Sequence, residues 1–228
     1  TADDSVTFSK TLPATNNVAA GTIKVSLLNA AGSAVTAESY TATISGPGLL
    51  GSGAQGATDA HNISAAGRAL TVKAGDVVAV FPDGTSGVST ITISSKAGVI
   101  LGTKTVTFYG SVASLVVTSI NNYIVDSADG VANTDTDAFV AVITAKDANG
   151  ITVPTATGDY TVSSSTEKVA QSVTNAAVVN LGATAIHNGV SVATTDEVLV
   201  VDPTSAKTGA KSLTITHTTS EVAVSVKF

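Results

Sequence analysis

The chain has 228 residues, of which 43% are apolar but only 4% aromatic, and it contains no Cys, Met or Trp. Eleven basic residues stand against seventeen acidic ones, which gives a formal charge of −6 and a pI near 4.8. We therefore expect no nucleic-acid partner, which would require clustered Lys and Arg, and no membrane span, because no apolar run reaches the roughly eighteen residues that a membrane helix needs.

Short segments that alternate apolar and polar residues fill the first half of the chain. They are rich in Val, Ile and Thr, and this period of two predicts β-strands, whereas no segment carries the period of a helix. Seven strands in about 110 residues are typical of an immunoglobulin-like sandwich. The predicted strands are residues 6–8, 23–27, 40–44, 69–72, 77–81, 89–94 and 103–108.

One stretch of the first half does not read as a strand. Residues 46–56 contain five glycines, which is too many for a core strand. We predict an exposed, irregular excursion here, which serves either as a binding loop or as a long connection.

The second half repeats both the strand count and the motifs of the first. Gly32 and Gly150 end similar hairpins 118 residues apart, and residues 76–82 and 91–93 recur 121 and 122 positions later. Nearly constant spacing predicts tandem domains, which we place at residues 1–110 and 111–228. The predicted strands of the second half are residues 115–118, 139–144, 160–162, 177–179, 198–201, 212–216 and 222–226.

One polar cluster follows the first predicted strand of the second half. It places four carboxylates and one amide within twelve residues. Ca²⁺ accepts about six to eight hard oxygen ligands on a flexible loop, although the spacing does not match an EF-hand. A solvated acidic loop explains the same residues without a cation, so both interpretations stay open. The candidate ligands are Asp126, Asp129, Asn133, Asp135 and Asp137.

Further calcium ligands could come from the next hairpin. Loops of a sandwich cluster at its two ends, which would allow Asp147 or Asn149 to approach the same cation. We expect no cofactor other than Ca²⁺.

Patterns of catalytic and zinc sites are missing from the sequence. No Gly-x-Ser-x-Gly nucleophile motif occurs, and no glycine-rich phosphate motif precedes a helix pattern. His61, His187 and His217 are far apart and there is no Cys, which argues against zinc. We expect each histidine at the surface or in a turn, and we expect that the chain is not an enzyme.

A family resemblance rests on residues 140–154, which combine a strand, an Asp-x-x-Gly hairpin and a Val-Pro exit, with a degenerate copy at residues 24–35. This pattern resembles the bacterial immunoglobulin-like repeats of invasin/intimin-type adhesins and of prokaryotic surface-layer proteins. The first copy departs from it with Asn29 and Thr36 in place of the Asp and Pro. The resemblance implies an all-β chain of two tandem immunoglobulin-like β-sandwich domains, about seven strands each, in an extracellular, cell-surface scaffold.

Two functions from different classes are compatible with this resemblance. The first is a structural coat protein whose modules pack through sandwich faces or strand edges into a self-assembled lattice or filament, which the resemblance implies to be calcium-dependent. The alternative is a stalk or binding module of a bacterial adhesin, or an immunoglobulin-like protein of a phage virion. Sugar-binding surfaces usually display exposed aromatic side chains, and the absence of Trp favours the structural function. We expect any cell-wall or glycan contact to lie elsewhere in the parent protein.

Overall fold

The computed structural model describes residues 5–12, 19–54, 63–119, 139–164, 169–175, 184–187, 190–193, 197–203 and 212–227. The chain divides into two compact units, Thr1–Gly110 (unit 1) and Ser111–Phe228 (unit 2), between the same two residues as the boundary drawn from the repeated motifs. The described residues are nearly all β, with one 3-10 turn at Thr157–Asp159. Within these residues no helix is long and apolar enough to cross a membrane.

The described residues of unit 1 form eight strands in two sheets. The strands are β1 (Ser5–Ser9), β2 (Gly21–Lys24), β3 (Ser39–Ser45), β4 (Leu49–Ala54), β5 (Ala69–Lys73), β6 (Asp76–Phe81), β7 (Gly87–Ser95) and β8 (Ile100–Tyr109). A five-stranded sheet has the order β1-β8-β7-β3-β5, and a three-stranded sheet has the order β2-β6-β4. Strands β1 and β8 pair in parallel, and every other pair is antiparallel.

The core of unit 1 follows from the alternation that the sequence shows. In β3 the side chains of Tyr40, Ala42 and Ile44 are buried, whereas those of Thr41 and Thr43 between them are half-exposed. Because side chains of a strand point alternately to its two faces, the inward set of each sheet meets the other sheet. The resulting cluster is contributed by β3, β4, β5, β6, β7 and β8, and half-buried residues of β1 and β2 pack against it.

The glycine-rich stretch after Ser45 is not an exposed excursion, so that prediction is wrong for its described part. Residues Leu49–Ala54 form β4, which pairs with β6 along its length, and Leu50 is fully buried. A side chain on Gly51 would overlap the carbonyl oxygen of Ser64, and one on Gly53 would lie 2.7 Å from Ile63. The glycines therefore make room for residues 63–67, which pass close to this strand. We call these residues the crossing segment.

That crossing segment gives the three-stranded sheet a second buried face. The backbone of Leu50 exchanges hydrogen bonds with Ala66 and Gly67, at 2.8 Å and 2.7 Å. Ile63 then packs on the outer side of the sheet, in a cluster with Ala19, Ala79 and Phe81. Side chains of β6 are consequently buried on both faces, which explains why its sequence reads as a continuous apolar run.

Unit 2 contains nine strands within the described residues. They are β9 (Ser114–Ser119), β10 (Phe139–Lys146), β11 (Tyr160–Ser164), β12 (Val169–Asn175), β13 (Thr184–His187), β14 (Val190–Ala193), β15 (Glu197–Pro203), β16 (Ser212–His217) and β17 (Ala223–Lys227). Three sheets have the orders β12-β15-β10-β9, β11-β16-β17 and β13-β14. The order β11-β16-β17 repeats β3-β7-β8 of unit 1, and β10-β15-β12 repeats β2-β6-β4.

The all-β class with immunoglobulin-like sandwich units is confirmed, and the described residues form eight strands in unit 1 and nine in unit 2, where we expected about seven each. Unit 1 contains β4 in addition, and the described part of unit 2 contains β12, β13 and β14, for which we predicted no strands. The predicted strand at residues 177–179 lies outside the described residues.

Candidate functional site

The candidate calcium ligands cannot be placed. They all lie outside the described residues, so the calcium site stays a prediction. Among the residues that the structure does describe, no group of three or more His, Asp or Glu side chains could hold a metal ion. The ligands concerned are Asp126, Asp129, Asn133, Asp135 and Asp137.

Asp147, the proposed additional ligand, is a hairpin residue. Its carboxyl group is buried, and Oδ1 accepts hydrogen bonds from the backbone N–H groups of Asn149 and Ile151, both at 2.9 Å. Its carbonyl oxygen accepts a third bond from Gly150, whose φ of 76° is a conformation that glycine adopts without strain. These bonds assign Asp147 a structural role, and its contribution to a calcium site stays a prediction.

His217 is buried and not at the surface, but it adjoins a turn, the other position that we expected for the histidines. It is the last residue of β16, and its ring meets the ring of Tyr160 edge-on, with 5.7 Å between the centroids. Nδ1 accepts a hydrogen bond from the backbone N–H of Ser220 at 3.2 Å and lies 2.9 Å from the Ser220 hydroxyl. The side chain therefore closes the turn between β16 and β17. His61 lies outside the described residues, and the side chain of His187 is not described.

Two buried tyrosines hold the same place in the two units. Tyr40 lies opposite Ser95 across β3 and β7, and Tyr160 lies opposite His217 across β11 and β16. The Tyr40 hydroxyl donates to the carbonyl oxygen of Asp76 at 3.1 Å. Burial, together with the negative charge of Asp76, raises the pKa of Tyr40 to about 12. Burial also raises the pKa of Tyr160. Both hydroxyls therefore stay protonated at neutral pH, and that of Tyr160 lies 2.8 Å from the Thr155 hydroxyl, where either group can donate.

Arg68, the only arginine of the chain, holds the bend between β3 and β4. Its guanidinium donates to the carbonyl oxygens of Gly46 and Gly48 and lies 3.9 Å from Asp83. Asp83 accepts from the backbone N–H groups of Gly48 at 2.7 Å and Thr85 at 2.9 Å. Burial favours the neutral carboxyl, but these hydrogen bonds and the charge of Arg68 outweigh it and lower the pKa of Asp83. Arg68 and Asp83 together therefore fix the bend at which the chain passes from the five-stranded sheet to the three-stranded sheet.

The outward faces of corresponding sheets share a hydroxyl-rich composition. In unit 1, cross-strand pairing aligns Thr43 with Thr92 and Thr92 with Thr103, and the neighbouring outward positions are also mainly Thr and Ser. In unit 2, Thr214 and Thr216 hold the outward positions of the central strand β16. In the five-stranded sheet of unit 1, Lys73 is the one charged residue at the outward positions of the described strands.

Sequence reasoning used the alternation of Thr with apolar residues to predict strands, but it did not identify the pairing of Thr across strands. The signal was present in the sequence, because Thr recurs at every second position of the segments that became β3, β7 and β8. The two buried tyrosines carried a signal as well, since Tyr40 and Tyr160 are 120 residues apart, close to the spacing of the other repeated motifs.

No protein-family model matches the sequence, and no curated protein matches it either. Several solved structures do. Domains 5–6 of the S-layer protein SbsC match with 19% identity and a TM-score of 0.29, over 95% of this chain and 94% of that one. InvD of Yersinia pseudotuberculosis matches with 20% identity and a TM-score of 0.37, over 94% and 55%. Invasin, a bacterial integrin-binding protein, matches with 17% identity and a TM-score of 0.30, over 95% and 37%.

The matched structures include the kinds of protein that the repeated motif resembles, namely surface-layer and invasin-type proteins. The chain spans about half of InvD and little more than a third of the invasin structure. Glycoside hydrolases are matched as well, but the chain covers only 21% and 24% of two of them. The matches concern the fold.

Proposed function

We propose that the chain is a segment of an extracellular structural protein that coats a cell surface and assembles through its immunoglobulin-like units. The observation that supports this function is the recurrence of one hydroxyl-rich face on corresponding sheets of both units. Each chain thereby offers two similar faces to its neighbours, as a repeating assembly requires.

The chemistry of these faces suits lateral packing. A sheet face of Thr and Ser can approach another without removing charges from water, which would cost several kcal/mol per ion. Hydroxyl groups can donate and accept, so they form hydrogen bonds with another copy of the same surface. Each contact would be weak, and the stability of the assembly would come from the number of contacts per chain.

The edges of the sheets offer a second mode of contact. Within the described residues, β5 pairs only with β3. Strand β4 pairs along its length with β6, and on its other side Leu50 alone is bonded, to Ala66 and Gly67. An edge strand presents unpaired backbone groups to which a strand of another molecule can add. Of these two strands only β5 carries a lysine, and neither contains a proline.

Three polar side chains of the described residues serve the fold. The hydrogen bonds of Asp83, Asp147 and His217 each hold a bend or a turn, as described above. We therefore propose a non-enzymatic function. We also propose that Ca²⁺ supports assembly through the acidic loop at residues 126–137, because four carboxylates close together repel one another until a cation binds.

Electron microscopy of the purified chain, with Ca²⁺ at about 10⁻³ M and after chelation, tests this proposal. We expect ordered sheets or filaments that dissolve on chelation. Thr92→Lys with Thr214→Lys places a charge at the centre of each hydroxyl-rich face and should prevent assembly, whereas Ala65→Lys, at an exposed loop position, should not. Dispersed particles under both conditions would overturn the structural function and favour the adhesin stalk.

A further inference from the structure

Unit 1 carries exposed apolar residues at one of its ends that the proposed function does not use. Val99, Ile100 and Leu101 are consecutive at the turn between β7 and β8, and their exposed fractions are 61%, 66% and 51%. Leu28, in the loop after β2, is 62% exposed. We call these four residues the end patch. They are four of the seven large apolar side chains that stand out as exposed in the described residues.

The strand register places these residues at one end of the unit. Tyr40, near the start of β3, pairs with Ser95, the last residue of β7, so the loop that precedes β3 and the turn that follows β7 emerge together. Lys24 pairs with Val77 at the start of β6, and the chain continues from there to Leu28. The loop and the turn that carry the end patch therefore both project from the same end of the sandwich.

The end patch is not a general feature of the fold. The matching turn of unit 2, between β16 and β17, consists of Thr218, Thr219, Ser220, Glu221 and Val222. Glu221 is exposed there, and no run of large apolar residues follows. The same turn of the same fold is thus apolar in unit 1 and mainly polar in unit 2.

Charge is divided unequally between the units. Unit 1 contains six basic and six acidic residues, whereas unit 2 contains five basic and eleven acidic ones, so the whole formal charge of −6 lies in unit 2. Around the end patch, Lys24, Lys73 and Lys96 are exposed, against Glu38 and the half-buried Asp76. The surroundings of the patch are therefore slightly basic, in a chain whose other unit is strongly acidic.

We propose that the end patch of unit 1 docks onto unit 2 of a second copy of this chain. Burying the four apolar side chains would supply affinity, and the lysines around them would select an acidic partner. Two different surfaces then meet, and such a head-to-tail contact generates a filament or an extended array rather than a closed dimer. This inference rests on the proposed function, to which it adds the surface and the direction of assembly.

The first test removes the apolar side chains. The triple variant combines, in the full chain, Val99→Thr, Ile100→Thr and Leu101→Thr. Threonine also favours strands, so the preference for a strand is kept. We expect self-association, measured by sedimentation velocity over a range of concentrations, to weaken at least about tenfold. The matched control combines Leu12→Thr and Val116→Thr, which are 61% and 46% exposed outside the patch, and should associate as the unaltered chain does. The urea midpoints of all variants should agree, because the replaced side chains are largely exposed.

The second test asks which surface receives the patch. In a head-to-tail contact the triple variant still offers an intact unit 2, so it should add to one end of a growing assembly and stop it. We expect equimolar triple variant to shorten assemblies of the unaltered chain. If two patches instead met each other, the triple variant could not join, and the assemblies would keep their length, which would overturn the assignment to unit 2.

The third test concerns charge. Association of the unaltered chain should weaken as salt is added. Lys73→Glu with Lys96→Glu should weaken it at low salt and reverse the salt dependence, because salt then screens a repulsion between two acidic surfaces. Association that is insensitive to salt would contradict an acidic partner.

The proposed function and this inference fail in different ways. If the unaltered chain stays monomeric at every concentration with Ca²⁺ present, the proposed function fails and the inference falls with it. If the unaltered chain and the triple variant assemble equally well, the structural function stands and the end patch is not its interface.

Discussion

Asn29 and Asp147 hold the same position in corresponding hairpins of the two units, 118 residues apart. In each hairpin the side-chain Oδ1 accepts hydrogen bonds from the backbone N–H groups two and four residues further on, at 3.0 and 2.9 Å in unit 1 and at 2.9 Å for both in unit 2. The two residues differ in burial, because Asn29 is exposed whereas Asp147 is 3% exposed. The same hydrogen bonds should therefore contribute unequally to stability.

Replacing Asp147 with Ala should destabilise the chain more than replacing Asn29. A hydrogen bond to a charged group contributes about 1.5–3 kcal/mol and one between neutral groups about 1 kcal/mol, and buried donors left without an acceptor add to the loss. We expect a loss of about 2–3 kcal/mol for Asp147→Ala and about 1 kcal/mol for Asn29→Ala, measured by urea unfolding. Asp147→Asn keeps the acceptor and should retain most of the stability. Equal losses at the two positions would contradict this assignment.

Gly51→Ala should destabilise unit 1 because the added methyl group would overlap the backbone of Ser64. Overpacking of this kind typically costs about 1–3 kcal/mol. Gly53→Ala should cost less, since its new neighbour is the movable side chain of Ile63. Gly102→Ala is the matched control, because nothing lies within 4 Å of its Cβ position and the residue is also in a strand. The urea midpoint should therefore be highest for Gly102→Ala, lower for Gly53→Ala and lowest for Gly51→Ala. A different order would show that the crossing segment can move away.

Asp83 should make unit 1 sensitive to acid. Its pKa is lower in the folded chain than in the unfolded one, so folding favours the ionised carboxylate. The stability that this supplies is fully present above about pH 5 and is lost as the pH falls through the range below about pH 4. Asp83→Asn should flatten this part of the stability curve, as followed by urea unfolding at a series of pH values.

A matched variant separates the charge of Arg68 from its hydrogen bonds. Arg68→Lys keeps the positive charge near Asp83 but cannot reach several carbonyl oxygens at once. The exposed ion pair itself should contribute only about 0.5 kcal/mol, so we expect Arg68→Lys to lose nearly as much stability as Arg68→Ala. A fully stable Arg68→Lys variant would show that charge alone holds the bend.

Tyr40 should make unit 1 sensitive to alkali. Its pKa is raised to about 12 in the folded chain, so folding favours the protonated phenol. This stability is present below about pH 10 and is lost as the pH rises toward the folded value. In a spectrophotometric titration of the four tyrosines, Tyr40→Phe should remove a late-titrating phase. Tyr160→Phe serves as the control, because it should leave the Tyr40 phase unchanged and destabilise unit 2.

The sequence predicted most strands of the fold because alternation records which side chains face the core. The glycines of β4 were misread, since they exist to admit Ile63 and Ser64, and such a tertiary contact leaves no local pattern. His217 could have been placed correctly. It continues the inward series Leu213 and Ile215 at every second position, but its polar character suggested a surface.

The candidate site was less predictable than the fold. The end patch interrupts alternation with three consecutive apolar residues, a signal that was visible at residues 99–101 but was assigned to no element, since the predicted strand began at residue 103. These three residues form the end patch only together with Leu28, which lies 71 residues earlier. The register of β3 and β7 brings the two segments to the same end of the unit. The calcium loop stays a prediction.

The parallel pairing of β1 with β8 determines how unit 1 bears mechanical load. Ser5 to Ser9 run beside Thr105 to Tyr109 in the same direction, and the chain enters through one strand and leaves through the other. Tension along the chain therefore pulls the two strands past each other and loads their hydrogen bonds together. An antiparallel pair pulled from adjacent ends would instead open one bond at a time. Unit 1 should thus resist stretching far more strongly than its free energy of unfolding alone would suggest.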